Sequence, residues 1–318
     1  MGFRRSQPVC GGGRPFGRGL RMQSNLIISL GLPLVMFVIM LGLGLSLRLE
    51  DFTEVLARPK ALVIGLACQL LVMPLICFGL VSVSNLPPAL AVGLTLLAAS
   101  PGGTSAMLFT HLGRGNVALS VCMVAITTLL TMITIPTVGN IALDIFYGDT
   151  KPISVQFHHV LQIFCLAVIP VLGGAVIRRF KPAFAARMEK PVKRLATAFL
   201  VFVIAAAVIS EWRIVIDWGP IVGLTVVIFS IASLTVGYVV PQLFRVNRRD
   251  AIALAMGIAL HNAALVMTLT LNEYMLNEPQ MAIPPALYGV SAYIICGAFV
   301  WMLIKGKVLR EESFAGRS

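Results

Sequence analysis

The chain reads as an all-α integral membrane protein of about nine transmembrane helices, and three features predict it. Charged residues make up only 12% of the 318 positions and hydrophobic residues 58%, with a mean hydropathy of +0.92. A soluble domain carries about 25% charged residues, so this composition cannot furnish a water-facing surface for a chain of this length. Long apolar stretches also recur, each near the ~20 residues that an α-helix needs to cross a bilayer core. Their apolar residues are continuous rather than alternating. Since every backbone polar group in hydrocarbon must be satisfied internally, that pattern selects helices over a closed barrel.

The predicted spans are 25–47, 61–84, 88–112, 116–139, 158–178, 192–210, 220–243, 250–272 and 282–304. Cationic residues sort unevenly between the two sides. Arg48, Arg58, Lys60, Arg114, the basic run from Arg178 to Arg194, Arg245, Arg248, Arg249 and the tail from Lys305 fall on one side. Lys151 and Arg213 fall on the other, together with Arg4, Arg5, Arg14, Arg18 and Arg21. The positive-inside rule then predicts an N-out, C-in orientation, in a bacterial inner membrane. Residues 1–21 are Gly- and Arg-rich with no apolar core of their own, and Met22 directly precedes the first span. They read as a disordered tail or an over-long start, which leaves 22–306 as the transmembrane domain and 307–318 as a cytoplasmic tail.

Several function classes drop out. The net charge of +12 is not gathered on a water-facing module, so no nucleic-acid partner is expected. All of the six cysteines except Cys10 sit in apolar runs without metal-ligand spacing, and read as small packing residues. No phosphate-binding loop, His-Glu-x-x-His or nucleophile elbow is present. The acidic residues from Asp51 to Glu278 lie at span ends or in loops. No enzyme, catalytic residue, cofactor or resident metal is therefore expected.

What remains is the polar residues inside the spans, which are costly there and mark function by default. Ser100-Pro101-Gly102-Gly103-Thr104-Ser105 interrupts the third span. Proline removes a helix donor and two glycines add backbone freedom, so a break near mid-depth is expected, as in transporters that build solute sites from broken helices. A kink at a packed crossing is the plainer alternative. In the fourth span Asn116, Ser120, Thr127, Thr131 and Thr134 share one helical face, with Asn116 and Ser120 expected nearest the break. Helix–helix contact explains part of such a stripe. The eighth span carries His261-Asn262, and the second the buried amide Gln69. A neutral imidazole beside an amide can hydrogen-bond a carboxylate or carbonyl; a satisfied structural histidine is the alternative.

These residues also carry a resemblance. Pro101-Gly102-Gly103-Thr104 followed by Arg114-Gly115-Asn116-Val117-Ala118-Leu119-Ser120 resembles the signature of the bile acid:sodium symporter family. The run Leu41–Leu49 with Glu50-Asp51-Phe52, the stretch Gln69–Pro74, and His261-Asn262-Ala263-Ala264-Leu265 resemble further motifs of that family. The resemblance covers roughly residues 26 to 305. It implies inverted repeats, a core and a panel domain, and two broken helices crossing at the centre, in a nine-helix form. Small organic anions are the implied substrates, with two sodium ions behind the crossing.

Among the side-chain ligands implied for sodium, only Gln69 and Ser120 remain. Ala106, Met107, Val124, Gly257 and His261 stand at the other ligand positions, and Gly257 replaces the shared carboxylate. Hard cations want several oxygens, preferably one of them anionic. The expectation is therefore a secondary transporter of a small organic anion, with Thr104, Ser105, His261 and Asn262 lining the solute site. Pro101, Gly102, Gly103 and Asn116 would build the crossing, and Gln69 and Ser120 are residual ion-site candidates. Coupling is expected to be by proton or absent. Ordinary sodium symport through a rearranged site is the alternative, and a membrane sensor on a carrier scaffold is a rival of another class.

Overall fold

The computed structural model describes residues 59–148, 157–188, 212–272 and 275–315 continuously, and scattered positions between 34 and 55 and between 191 and 198. The predicted segment 1–21 lies outside these residues, as do Lys151 and most of the predicted spans 25–47 and 192–210.

Nearly every described residue is helical. Helix α1 (Pro59–Ala67) passes through a π-helical turn (Cys68–Val72) into α2 (Met73–Ser84). Pro74 cannot donate to a carbonyl one turn back, and the wider turn absorbs the misfit. Next come α3 (Pro88–Ala99), α4 (Ser105–Leu112), α5 (Val117–Tyr147) and α6 (Phe157–Phe180). After them lie α7 (Trp212–Leu243), α8 (Arg248–Ala259), α9 (Ala263–Leu271), a 3-10 turn (Pro279–Ala282) and α10 (Ile283–Ala315).

Among the described residues four stretches are long and apolar enough to span a bilayer: Pro59–Ser84, Val117–Tyr147, Ile216–Leu243 and Pro279–Lys305. They carry exposed apolar side chains such as Leu75, Val83, Ile133, Leu224 and Ile294, a surface that suits lipid and not water.

The predicted third and eighth spans are each divided, into α3 and α4 and into α8 and α9. These halves occupy the centre. Every residue from Ala89 to Ala99, from Ala251 to Ala259 and from Ala263 to Thr270 is buried. A helix apolar on all sides needs protein around it on all sides, and α5, α7 and α10 provide it.

The order of elements also recurs. Asn85 (φ 48°) follows α2 and leads into α3, a break and α4, after which Arg114 (φ 57°) leads into α5. Arg245 (φ 58°) follows α7 and leads into α8, a break and α9, after which Asn277 (φ 47°) precedes α10. Four left-handed residues other than glycine thus punctuate two runs of the same design.

Candidate functional site

The two breaks are made against each other. Ser100 leaves the α3 helix in an extended conformation, its hydroxyl donating to the Leu97 carbonyl at 2.7 Å. Pro101 has no N–H to continue the ladder. Its carbonyl accepts from the Asn262 N–H at 2.9 Å, while the Gly103 N–H donates to the Leu260 carbonyl. These two bonds flank Gly102 and His261, which face each other in an antiparallel bridge. Such a pair, not hydrogen-bonded to each other, brings the two backbones close. Glycine is required there: a β-carbon on Gly102 would stand 2.8 Å from the Gly257 carbonyl oxygen. The half-helices therefore cross in opposite directions and satisfy each other's broken backbone.

Side chains complete the junction. Asn262 caps α9, its Oδ1 accepting from the Leu265 N–H at 3.1 Å. Gln69, presented by the π-helical turn, donates from Nε2 to the Ser100 carbonyl at 2.9 Å and lies 3.0 Å from His261 Nδ1. The carbonyl fixes the amide with its NH₂ toward the ring, so Nδ1 is the acceptor and the imidazole proton sits on Nε2. The ring stacks on Phe229 at 5.6 Å and meets Tyr288 at 5.5 Å. The Tyr288 hydroxyl donates to the Ala259 carbonyl at 2.7 Å, tying down the C-terminal end of α8.

The predicted site residues distribute as follows. Pro101, Gly102, Gly103, His261, Asn262 and Gln69 meet at the crossing. Thr104 and Ser105 begin α4 just beyond it, half-buried. Ser120 is fully buried on α5.

Asn116 departs from expectation: it is not near the break. It caps α5 by accepting from the Leu119 N–H and donates to Asp250 at 2.8 Å, thereby tying the start of α5 to the start of α8. The residues of that stripe that reach the break are Thr127, which accepts from the Gly102 N–H at 3.4 Å, and Thr134, which donates to the Ala99 carbonyl at 3.1 Å. The polar face is real, but its two ends are exchanged. The break lies beside the middle of a long helix, so proximity in sequence misled.

Phe229 and Tyr288 were missed, being aromatic residues in apolar runs, and Phe229 had no local signal at all. A buried tyrosine hydroxyl always needs a partner, and that hint alone was available for Tyr288.

Four buried polar atoms belonging to these candidates have no hydrogen-bond partner in the structure: Gln69 Oε1, His261 Nε2, Asn262 Nδ2 and Ser120 Oγ. An unsatisfied buried group costs about 1–3 kcal/mol, and three of the four, on Gln69, His261 and Asn262, belong to the junction itself, so that gathering calls for a ligand. His261 Nε2–H and Asn262 Nδ2 are donors, which suits a carboxylate or carbonyl. The N-terminal ends of α4 and α9 start from the same junction and add positive potential.

Crossed, broken half-helices with unsatisfied polar groups at the junction define a membrane carrier. A model of the sodium bile acid symporter family matches residues 33–218, and the chain belongs to that family, which is one of transporters and not of enzymes. It is 28% identical over 255 residues to an uncharacterized sodium-dependent transporter of Bacillus subtilis, covering 80% of this chain and 76% of that protein. It is 27% identical over 277 residues to a probable chloroplastic sodium/metabolite cotransporter of Arabidopsis thaliana, covering 86% and 67%. The hepatic sodium/bile acid cotransporter of Homo sapiens is 26% identical over 291 residues, covering 90% and 80%.

Proposed function

We propose that the protein is a secondary carrier of a small organic anion, which binds at the crossing between His261, Asn262, Thr104 and Ser105. The observation that carries this reading is the pair of buried donors without partners, His261 Nε2–H and Asn262 Nδ2. Two donors aimed from one junction match the lone pairs of a carboxylate. The names of the relatives, a metabolite and a bile acid cotransporter, support a solute of this kind.

The recurrence of left-handed turns around α3–α4 and α8–α9, together with the opposite directions of the two breaks, supports inverted repeats in a nine-helix, core-and-panel architecture. Alternating access would come from one domain moving against the other. We place the protein in a bacterial inner membrane, N-out and C-in.

Coupling is where this chain parts from its relatives. A β-carbon on Gly257 would meet Met123 Cγ at 3.4 Å, and one on Gly102 would meet Val124 Cγ2 at 3.1 Å. Ala106, Met107, Met123 and Val124 are all buried. Apolar side chains thus occupy the neighbourhood where a carboxylate and oxygen ligands would be needed, and a sodium ion there would lose hydration without replacement. This argues against a sodium site of the implied kind, of whose side-chain ligands only Gln69 and Ser120 offer oxygens. Proton coupling through His261 fares little better. A second proton would go on Nδ1, against the Gln69 NH₂ that the Ser100 carbonyl holds in place. Transport without ion coupling is therefore the favoured mode. Sodium symport remains the second reading, favoured by the sodium-dependent relatives.

The test is uptake of radiolabelled organic acids into proteoliposomes under sodium, choline and pH gradients. Saturable uptake that is unchanged when choline replaces sodium is expected. Cooperative stimulation by sodium would defeat the uncoupled reading, and absence of uptake across the panel would defeat the carrier reading.

A further inference from the structure

Away from the crossing, a cavity of about 690 Å³ opens where the end of α4, the starts of α5 and α8 and the Leu303-Ile304 stretch of α10 converge. His111, Arg114, Arg248 and Arg249 line it beside the apolar Ile252 and Ile304, and no acidic residue is among its lining residues. The arginines come from two separate turns that are bonded to each other. The Asn116 N–H donates to the Arg249 carbonyl at 2.9 Å, and the Asn116 side chain holds Asp250. The second Asp250 oxygen accepts from Asn247 at 2.6 Å, so the carboxylate next to the arginines in the chain is already taken up by two amides. The charged side chains that line the cavity are thus all cationic, and the nearby Asp250 carboxylate is turned to Asn116 and Asn247.

Its depth is also defined. Val117 opens one membrane-spanning stretch and the lining Arg114 lies just before it, so the cavity lies at the edge of the apolar layer. Next to it α10 turns Trp301, Met302 and Ile304 outward, at 59%, 56% and 44% exposure, and Lys305 Nζ sits 4.9 Å above the Trp301 ring. Tryptophan and lysine together mark the headgroup level.

We propose that this cavity binds the headgroup of an anionic phospholipid. Its phosphodiester would be held by Arg114, Arg248 and Arg249, with its acyl chains lying along α10 over Ile304 and Trp301. Guanidinium groups recognise phosphate oxygens bidentately, and basic pockets between helix ends at the membrane surface suit anionic headgroups. The apolar wall continuing outward along α10 favours a lipid over a soluble phosphate. The inference rests on the membrane location and not on the transport activity.

The test uses the full chain carrying Trp212→Phe and Trp218→Phe, so that Trp301 is the sole tryptophan, reconstituted with phosphatidylglycerol or phosphatidylcholine brominated on the acyl chain. Brominated phosphatidylglycerol should quench Trp301 at a lower mole fraction than brominated phosphatidylcholine. Each of Arg114→Gln, Arg248→Gln and Arg249→Gln should raise that mole fraction roughly fivefold, and Arg→Lys at the same positions should retain most of the preference. Melting temperatures in phosphatidylcholine alone report whether each variant folds, and the three single variants give independent readings. Equal quenching by the two lipids, or a preference unmoved by the arginine variants, overturns the proposal. Displacement of phosphatidylglycerol by soluble glycerol phosphate would assign the cavity to a soluble phosphate ligand and overturn the lipid.

Discussion

Replacing Gly102 by alanine adds a single carbon at the tightest point of the crossing. That carbon would stand 2.8 Å from the Gly257 carbonyl oxygen, about 0.6 Å short of the 3.4 Å at which ordinary contact begins. The neighbour is backbone inside the buried stretch Ala251–Ala259 of α8 and cannot swing aside as a side chain would. The two half-helices must separate, stretching the bonds from Gly103 N–H to Leu260 and from Asn262 N–H to Pro101. Overpacking of this kind costs about 1–3 kcal/mol, which corresponds to a melting temperature lowered by about 2–10 °C. Gly257→Ala is the matched control. Its added carbon would meet only the flexible Met123 side chain, at 3.4 Å, and alanine also favours the helix. Melting curves in detergent and uptake in proteoliposomes, measured on both variants, check the argument. Gly102→Ala should lose stability and most of its uptake, and Gly257→Ala should keep both within error. Wild-type behaviour in Gly102→Ala, or equal damage in Gly257→Ala, would refute the close approach.

Asn262→Ser preserves an oxygen to cap α9 but removes the Nδ2 donor, whereas Asn262→Ala removes both. If Nδ2 holds the solute, the serine variant should keep its melting temperature and raise KM at least tenfold, while alanine should also lose about 1 kcal/mol of stability. Uptake kinetics unchanged in both would take Asn262 out of the solute site. For orientation, a cysteine at the exposed Arg187 should react with an impermeant reagent only after cells are opened; labelling in intact cells would reverse the N-out, C-in assignment.

The sequence by itself determined the membrane class, because composition and run length report the solvent directly. It also pointed to the first break, since Pro101 removes a helix donor and the two glycines beside it add backbone freedom, although single prolines such as Pro136 and Pro170 stay inside continuous helices. Local chemistry likewise marked Asn262 and Asn116 as polar residues needing partners. The second break was implied only by the family resemblance, because Leu260-His261-Asn262 contains neither proline nor glycine, and only the tertiary structure supplied its physical cause. That chain leaves the helix because its backbone finds partners in residues 101 and 103, which lie far away in sequence. The same holds for the floor under His261. Phe229 and Tyr288 look like any other apolar-run aromatics until α7 and α10 pack together. The exchange of Asn116 for Thr127 and Thr134 has one physical cause as well: helical periodicity gives the face of a residue but not its height against a neighbour. That height was set by where α3 stops along α5, a matter of packing between helices and not of either helix alone.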